Sequence, residues 1–255
     1  MSLWNSARAV LAKKAGVEAP TSEDNGLPFN ARIGSLMTLN TSPFVRAQGT
    51  LLLSPGASHT IVAISRMHIG LEGDVYRYYM KKGDSASDRE SYIQVYVDSQ
   101  KVIQEIMYFD RLLRMFPEDP ETLAAFTGKT ESGLGQQEFS LWKTQLADVG
   151  YNESLLNIVF GDSESIAYTR MTPSQSEYVA PFEGQEKRID DSKGENGLRQ
   201  KIIFMPYERT LALGTKEQLF ISTEIVQEQN GQQKQSVHVD FMVGLPLSEM
   251  DVKVQ

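Results

Sequence analysis

The chain predicts an α+β fold dominated by antiparallel β-structure, sandwich or barrel-like, with a few short helices and an amphipathic helix at its N-terminus. Three observations lead there. Strand patterns of period two recur along most of the sequence, as at residues 92–97, where Ile93, Val95 and Val97 alternate with Tyr92, Gln94 and Tyr96. Turn signals separate these patterns, the clearest being Asn230-Gly231. Helical spacing is confined to a few segments. Many strands joined by turns bury their apolar faces by packing two sheets or by closing one.

At residues 3–15, Leu3, Trp4, Ala7, Val10 and Leu11 share one side at helical spacing, with Arg8, Ala12 and Lys13 away from it. Gly16 stops that helix, and residues 16–26 read as a linker. A β-rich globular domain then spans residues 27–255, open to division into two sub-lobes near 115–150. Strands are expected at 36–40, 50–53, 60–65, 75–80, 92–98 and 102–109. Helical turns follow at 121–126 and 139–149. Strands resume at 155–160, 165–170 and 176–180. Residues 184–197 are charged and poor in apolar side chains, the composition of a mobile surface loop. The last third is β again at 201–205, 210–213, 219–227 and 235–243. Its hairpin contains a conflict. A two-residue Asn-Gly loop pairs Gln229 with Gln232 and sets Ile221 opposite Asp240, whereas the hydrophobic pattern sets Ile221 opposite Val239. An odd-length loop or a bulge is expected there.

Composition narrows the function classes. The 255 residues are 40% hydrophobic and 23% charged, enough for a sizeable core. There is no cysteine, which excludes disulfides, thiol catalysis and Cys-ligated zinc. No apolar run approaches the roughly 20 residues that span a bilayer, and Asn5, Ser6 and Arg8 interrupt any secretory core. Net charge is −8. Arg8, Lys13 and Lys14 against Glu18 make the first twenty residues +2, leaving −10 for the rest. Such a body repels phosphate backbones, so no nucleic-acid partner is expected.

The segment Leu27-Pro28-Phe29-Asn30-Ala31-Arg32-Ile33-Gly34-Ser35-Leu36, with Thr38-Leu39 and Thr41-Ser42-Pro43-Phe44, resembles the opening of the YjfK-like family of uncharacterised bacterial proteins. His59-Thr60-Ile61-Val62-Ala63-Ile64, Ile69-Gly70, Tyr76-Arg77-Tyr78-Tyr79 and Gly244-Leu245-Pro246-Leu247 extend the resemblance across residues 27–247. It is thin between Asp110 and Arg199. The resemblance implies no activity. It implies a bacterial cytoplasmic protein, in a family whose genes often sit near those for membrane-stress proteins of the phage-shock type, which hints at the class of partner.

Candidate chemistry is sparse. His59, His68 and His238 form no His-x-His or His-x-x-x-His pair. His68 with Glu72 and Asp74 is the weak candidate metal set, and no cofactor is expected. His238 and Asp240 share one strand face, as an acid/base pair or, more simply, as a solvated sheet surface. Tyr76, Tyr78, Tyr92 and Tyr96 form a candidate ligand face, against the plainer role of cross-strand aromatic pairs. Thr127-Gly128-Lys129-Thr130 imitates the end of a P-loop, but Leu123 stands where the motif needs glycine. Gly161-Asp162-Ser163-Glu164-Ser165 imitates a nucleophile elbow but ends in serine, and reads as a polar turn. No catalytic residue is assigned.

The segment with a specific reading is the N-terminal helix. Leu3, Trp4, Val10 and Leu11 beside Arg8, Lys13 and Lys14 have the composition of an interfacial anchor, a weak membrane-surface or partner contact. The same stripe serves equally for docking on the body or on another subunit. The leading expectation is therefore a non-enzymatic interaction or scaffold protein, cytoplasmic and peripheral to the inner membrane, with a protein partner. The alternative is a small-ligand-binding or hydrolytic domain using the tyrosine face or the His68 loop.

Overall fold

The computed structural model describes residues 26–52, 55–70, 72–82, 89–172 and 174–255. The helix expected at residues 3–15 lies outside them. In chain order the elements are β1 (Leu36–Leu39), α1 (Ser42–Arg46), β2 (Ser58–His68), β3 (Asp74–Lys82), β4 (Ser91–Val97) and β5 (Ile103–Met115). Then come α2 (Pro120–Phe126), β6 (Glu138–Trp142), α3 (Lys143–Asp148), α4 (Glu153–Phe160) and β7 (Ser165–Arg170). The chain finishes with β8 (Phe182–Ile189), β9 (Gly197–Thr210), β10 (Lys216–Gln229), β11 (Gln232–Leu247) and β12 (Val252–Val254).

The strand pairs are antiparallel, in the order β2-β3-β4-β5-β11-β10-β9, and β8 bridges β9 back to β2. The result is a closed eight-stranded barrel. Closure removes the edges that an open sheet would expose. Two long strands carry the side branches. β2 pairs with β1 through Ser58–Thr60 and with β8 through Ile64–His68. β9 pairs with β8 through its first half and with β7 through Tyr207 and Glu208.

Period-two alternation along the wall produces two cores. Facing the lumen are Ala63, Met67, Val75, Tyr79, Tyr92, Tyr96, Met107, Phe109, Ile202, Phe204, Phe220 and Met242. Facing outward, Tyr78, Ile93, Val95, Tyr108, Met205, Ile221 and Phe241 pack with Leu141, Leu146, Leu156 and Phe160 of the β6–α3–α4 excursion. Eight strands enclose a lumen about wide enough for side chains to fill. At Gly244 there is room for nothing more: a Cβ there would lie 2.5 Å from the Phe109 ring.

Several elements differ from expectation, each for a local reason. Residues 155–160 are helical because Asn152 Oδ1 caps the amides of Ser154 and Leu155 and because Leu156 and Phe160, one turn apart, are both buried. The helix expected at 139–149 divides at Trp142 into β6 and α3, where Gln145 Oε1 accepts from the Trp142 amide. β5 runs on past residue 109 to Met115. The described part of 50–53, residues 50–52, and residues 210–213 are not strands of their own, although Leu51 and Leu52 are buried, and of 176–180 only Tyr178 bridges to Gln136. The largest correction concerns residues 184–197, of which the first part is not a loop. Glu183, Gln185 and Lys187 are exposed while Glu186 between them is buried, so β8 alternates as a strand with polar groups facing in. Its composition disguises the strand that closes the barrel.

The β10–β11 hairpin keeps the two-residue turn, with Gln229 opposite Gln232, and a bulge follows between Val226 and Glu228. The extra residue falls on β11, so Ile221 meets Phe241 rather than Val239. Apolar partners thus still match across the ladder, by a shift in the opposite sense to the one expected.

Candidate functional site

One belt of the lumen is polar. Ser65 on β2, Arg77 on β3 and Gln94 on β4 lie at one level, since Arg77 pairs with both of the others. Glu186 enters from β8, Gln200 from β9, Ser222 and Glu224 from β10, and His238 and Asp240 from β11. All are buried. Buried charges persist only when paired and hydrogen-bonded; the belt meets that demand through its ion pairs and amides, and leaves Arg77 Nη2, Gln200 Oε1 and His238 Nε2 without a hydrogen-bond partner among the described residues.

Glu186 is the hub. It accepts hydrogen bonds from Tyr79 Oη (2.7 Å), Gln200 Nε2 (2.9 Å) and Ser65 Oγ, and pairs with Arg77 at 3.2 Å. Arg77 also donates to Gln94 Oε1 (3.1 Å) and lies over the Tyr92 ring, 4.6 Å from its centroid. Gln200 Nε2 donates in addition to Glu224 Oε2 (2.8 Å), which links the hub to a second group.

That second group is Glu224, His238 and Asp240. Glu224 stands directly across from His238, and Asp240 across from Ser222 and from Arg114 of β5. The bulge creates this arrangement, because an unbroken ladder from the turn would set Glu224 against Val237. Arg114 grips Asp240 through Nε and Nη2, each at 2.6 Å. His238 Nε2 lies 3.2 Å from Glu224 Oε2 and 3.9 Å from Asp240 Oδ2, yet makes no hydrogen bond. Burial alone would raise the Glu224 carboxyl, but His238, Arg77 and Gln200 outweigh it and hold it down to about 2. Burial, with the charge of Glu224 added, pushes the Asp240 carboxyl up despite the Arg114 fork. The two acids therefore differ in protonation tendency although they share one imidazole.

The candidate ligand face does not stay together. Tyr76 and Tyr78 point out of the barrel, where Tyr78 Oη donates to the Pro28 carbonyl at 2.9 Å. Tyr92 and Tyr96 point into the lumen beside Tyr79, and Tyr96 Oη donates to the Glu72 carbonyl at 2.8 Å. The sheet is covered on both faces there, not half-buried. Asp74 accepts from Arg66 and Lys101, and His68 and Glu72 do not join it in a group able to share an ion. Among the described residues, Glu224, His238 and Asp240 are the group that can. Sequence reading found His238 and Asp240 on one face but favoured a solvated one, and it missed Glu224. Finding Glu224 needed the sense of the bulge. The two imitated motifs are helix ends: Gly128 follows α2 and Gly161 follows α4, both with positive φ. The anchor residues Leu3, Trp4, Arg8, Val10, Leu11, Lys13 and Lys14 lie outside the described residues.

An antiparallel eight-stranded barrel with a charged lumen and a covering layer defines the class of protein. The chain belongs to the family described as protein of unknown function (DUF2491), whose model matches residues 9–253. No curated protein and no solved structure matches it. No helix among the described residues is long and apolar enough to cross a membrane.

Proposed function

We propose that the chain is a non-enzymatic interaction protein whose barrel holds a protein-docking excursion, β6–α3–α4–β7, in fixed position. The observation that carries this reading is the exposed apolar surface of that excursion. Ile158 is 73% exposed and Trp142 50%, and Val149 between them in sequence is also exposed. Lys143 Nζ donates to Asn157 Oδ1 at 2.9 Å, which brings the immediate neighbours of Trp142 and Ile158 together. Exposed aromatic and aliphatic anchors on rigid elements are what protein interfaces use.

The surrounding charge selects the kind of occupant. Between residues 138 and 165 the exposed acids are Glu138, Asp148, Glu153, Asp162 and Glu164, against the single base Lys143. An acidic rim is repelled by anionic lipid and suits a protein with a basic rim around an apolar socket. The YjfK-like resemblance points to partners among bacterial membrane-stress proteins, in the cytoplasm at the inner membrane. The basic segment at residues 3–15 offers the second, peripheral contact with the membrane. The alternative reading, a small-ligand-binding or hydrolytic domain, draws its support from the Glu224–His238–Asp240 group instead of the tyrosine face or the His68 loop.

Affinity purification of the full chain from bacterial cells tests the leading reading, alongside a Trp142→Ser/Ile158→Asp variant and a chain lacking residues 1–20. A membrane-stress protein should be captured by the full chain and lost with the double substitution. Binding should then be reproduced with the purified partner. Equal capture by the double variant would sink the proposal, and loss only on removing residues 1–20 would move the interface to the N-terminus.

A further inference from the structure

We infer that Glu224, His238 and Asp240 form a binding site for a divalent first-row transition ion of the zinc class, inside the barrel. Three independent features converge on it. The first is spacing. One donor atom from each residue lies within 4.8 Å of the others, with His238 Nε2 at 3.2 Å and 3.9 Å from the two carboxylates. A tetrahedral ion with bonds of about 2.0–2.1 Å needs donors roughly 3.3–3.4 Å apart, so side-chain shifts of roughly an ångström complete the cage.

The second is the orphaned nitrogen. His238 is only 7% exposed, and its Nε2 has no hydrogen-bond partner although it points between two carboxylates. Buried polar atoms are almost always satisfied, and one left open among three donors is what a metal ligand looks like without its ion. The third is charge. Each neighbouring buried acid has its arginine, Glu186 with Arg77 and Asp240 with Arg114. No arginine among the described residues lies within ion-pair distance of Glu224. Among the described residues its carboxylate accepts hydrogen bonds from Gln200 Nε2 (2.8 Å) and Ser222 Oγ (3.2 Å), and the imidazole stands 3.2 Å away without one. A divalent cation would give it the direct cationic contact that the other two acids have in their arginines.

The donor set chooses the metal. One imidazole and two carboxylates, with no sulfur, suit zinc, cobalt or manganese, whereas magnesium and calcium prefer all-oxygen sites. Gln200, Ser222 and Arg114 hold the two carboxylates in place, as supporting partners do around protein-bound metals. Side-chain exposures of 9% at His238, 10% at Glu224 and 30% at Arg114 give the ion a way in beside Arg114. Three protein donors leave a fourth position for water. The inference depends on neither reading of the whole protein's function.

The test uses the full chain, stripped with a chelator and titrated with Co²⁺ and Zn²⁺. One ion per chain should bind, Co²⁺ should give the visible absorption of a four- or five-coordinate site, and Zn²⁺ should raise Tm. His238→Gln and Glu224→Gln, close in shape to the residues they replace, should weaken binding by at least about 100-fold. His68→Gln should leave it unchanged. X-ray absorption of the zinc-loaded unmodified chain covers the case of variants that do not fold: it should show one imidazole in a light-atom shell. Absence of saturable binding, an all-oxygen shell, or affinity that survives His238→Gln in a folded protein would each overturn the site.

Discussion

Strand β10 presents Leu219, Ile221 and Thr223 to the outer core, and Phe220, Ser222 and Glu224 to the lumen. Both faces are buried, but they are buried differently. Outward, the wall meets aliphatic and aromatic side chains of the covering layer, and the gain scales with apolar area removed from water. Inward, aromatic rings share the lumen with a belt of acids, amides and arginines whose desolvation must be offset contact by contact. Hydrophobic burial tolerates small errors. A buried charge does not, because removing one partner strands the other.

The largest expected effect therefore lies on the inner face. Glu186→Ala removes the acceptor shared by Ser65, Tyr79, Arg77 and Gln200, and leaves Arg77 buried without its carboxylate. Urea unfolding should show a loss of about 3–5 kcal/mol. Arg77→Met combined with Glu186→Leu replaces the pair by apolar groups and should recover most of that loss. If the double variant is as unstable as Glu186→Ala alone, the cost comes from lost packing, and the contrast between the two faces fails.

The same contrast explains what was legible in the sequence. The outer face was readable because its apolar residues keep period two: Ile93, Val95 and Val97 were placed together and are together. β8 was not, because its inward residues are Gly184, Glu186 and Arg188, and polarity in a strand normally signals solvent. The closing strand thus read as a loop, and the barrel remained one of two options. The helix at Glu153–Phe160 was missed because a short apolar run has no decisive period, and the Asn152 cap settled it. His238 and Asp240 were legible as sharing a face. Their burial depends on which surface covers β11, and Glu224 joins them only through a one-residue bulge. Neither fact is local to the sequence around them.

A smaller effect should mark the outer face. Ile221→Val removes one methylene from a fully buried position in the outer core. The expected loss is about 0.5–1.5 kcal/mol, unchanged between low and high salt because no charge is involved. A loss well above that range in urea titrations would mean that the outer core is as intolerant as the lumen.

The smallest effect belongs to a third environment, the rim, where charges meet water. Asp74 accepts from Lys101 Nζ at 2.8 Å and from Arg66, whose side chains are 68% and 38% exposed. Burial pushes the Asp74 carboxyl up, but the hydrogen bonds from Lys101 and Arg66 outweigh it and hold it below its ordinary 3.8. A depressed carboxyl stabilises the folded state above its unfolded value, and that contribution disappears as pH falls below 3.8 through the folded value. Asp74→Asn should therefore cost up to about 1 kcal/mol at neutral pH, with the exposed partners keeping it small. The difference from the unmodified chain should narrow steadily on acidification below pH 4 and shrink in high salt. A difference that persists unchanged in acid and in salt would show that Asp74 acts by packing, and that the rim behaves like the lumen rather than like the solvent-facing pair its exposed cations describe.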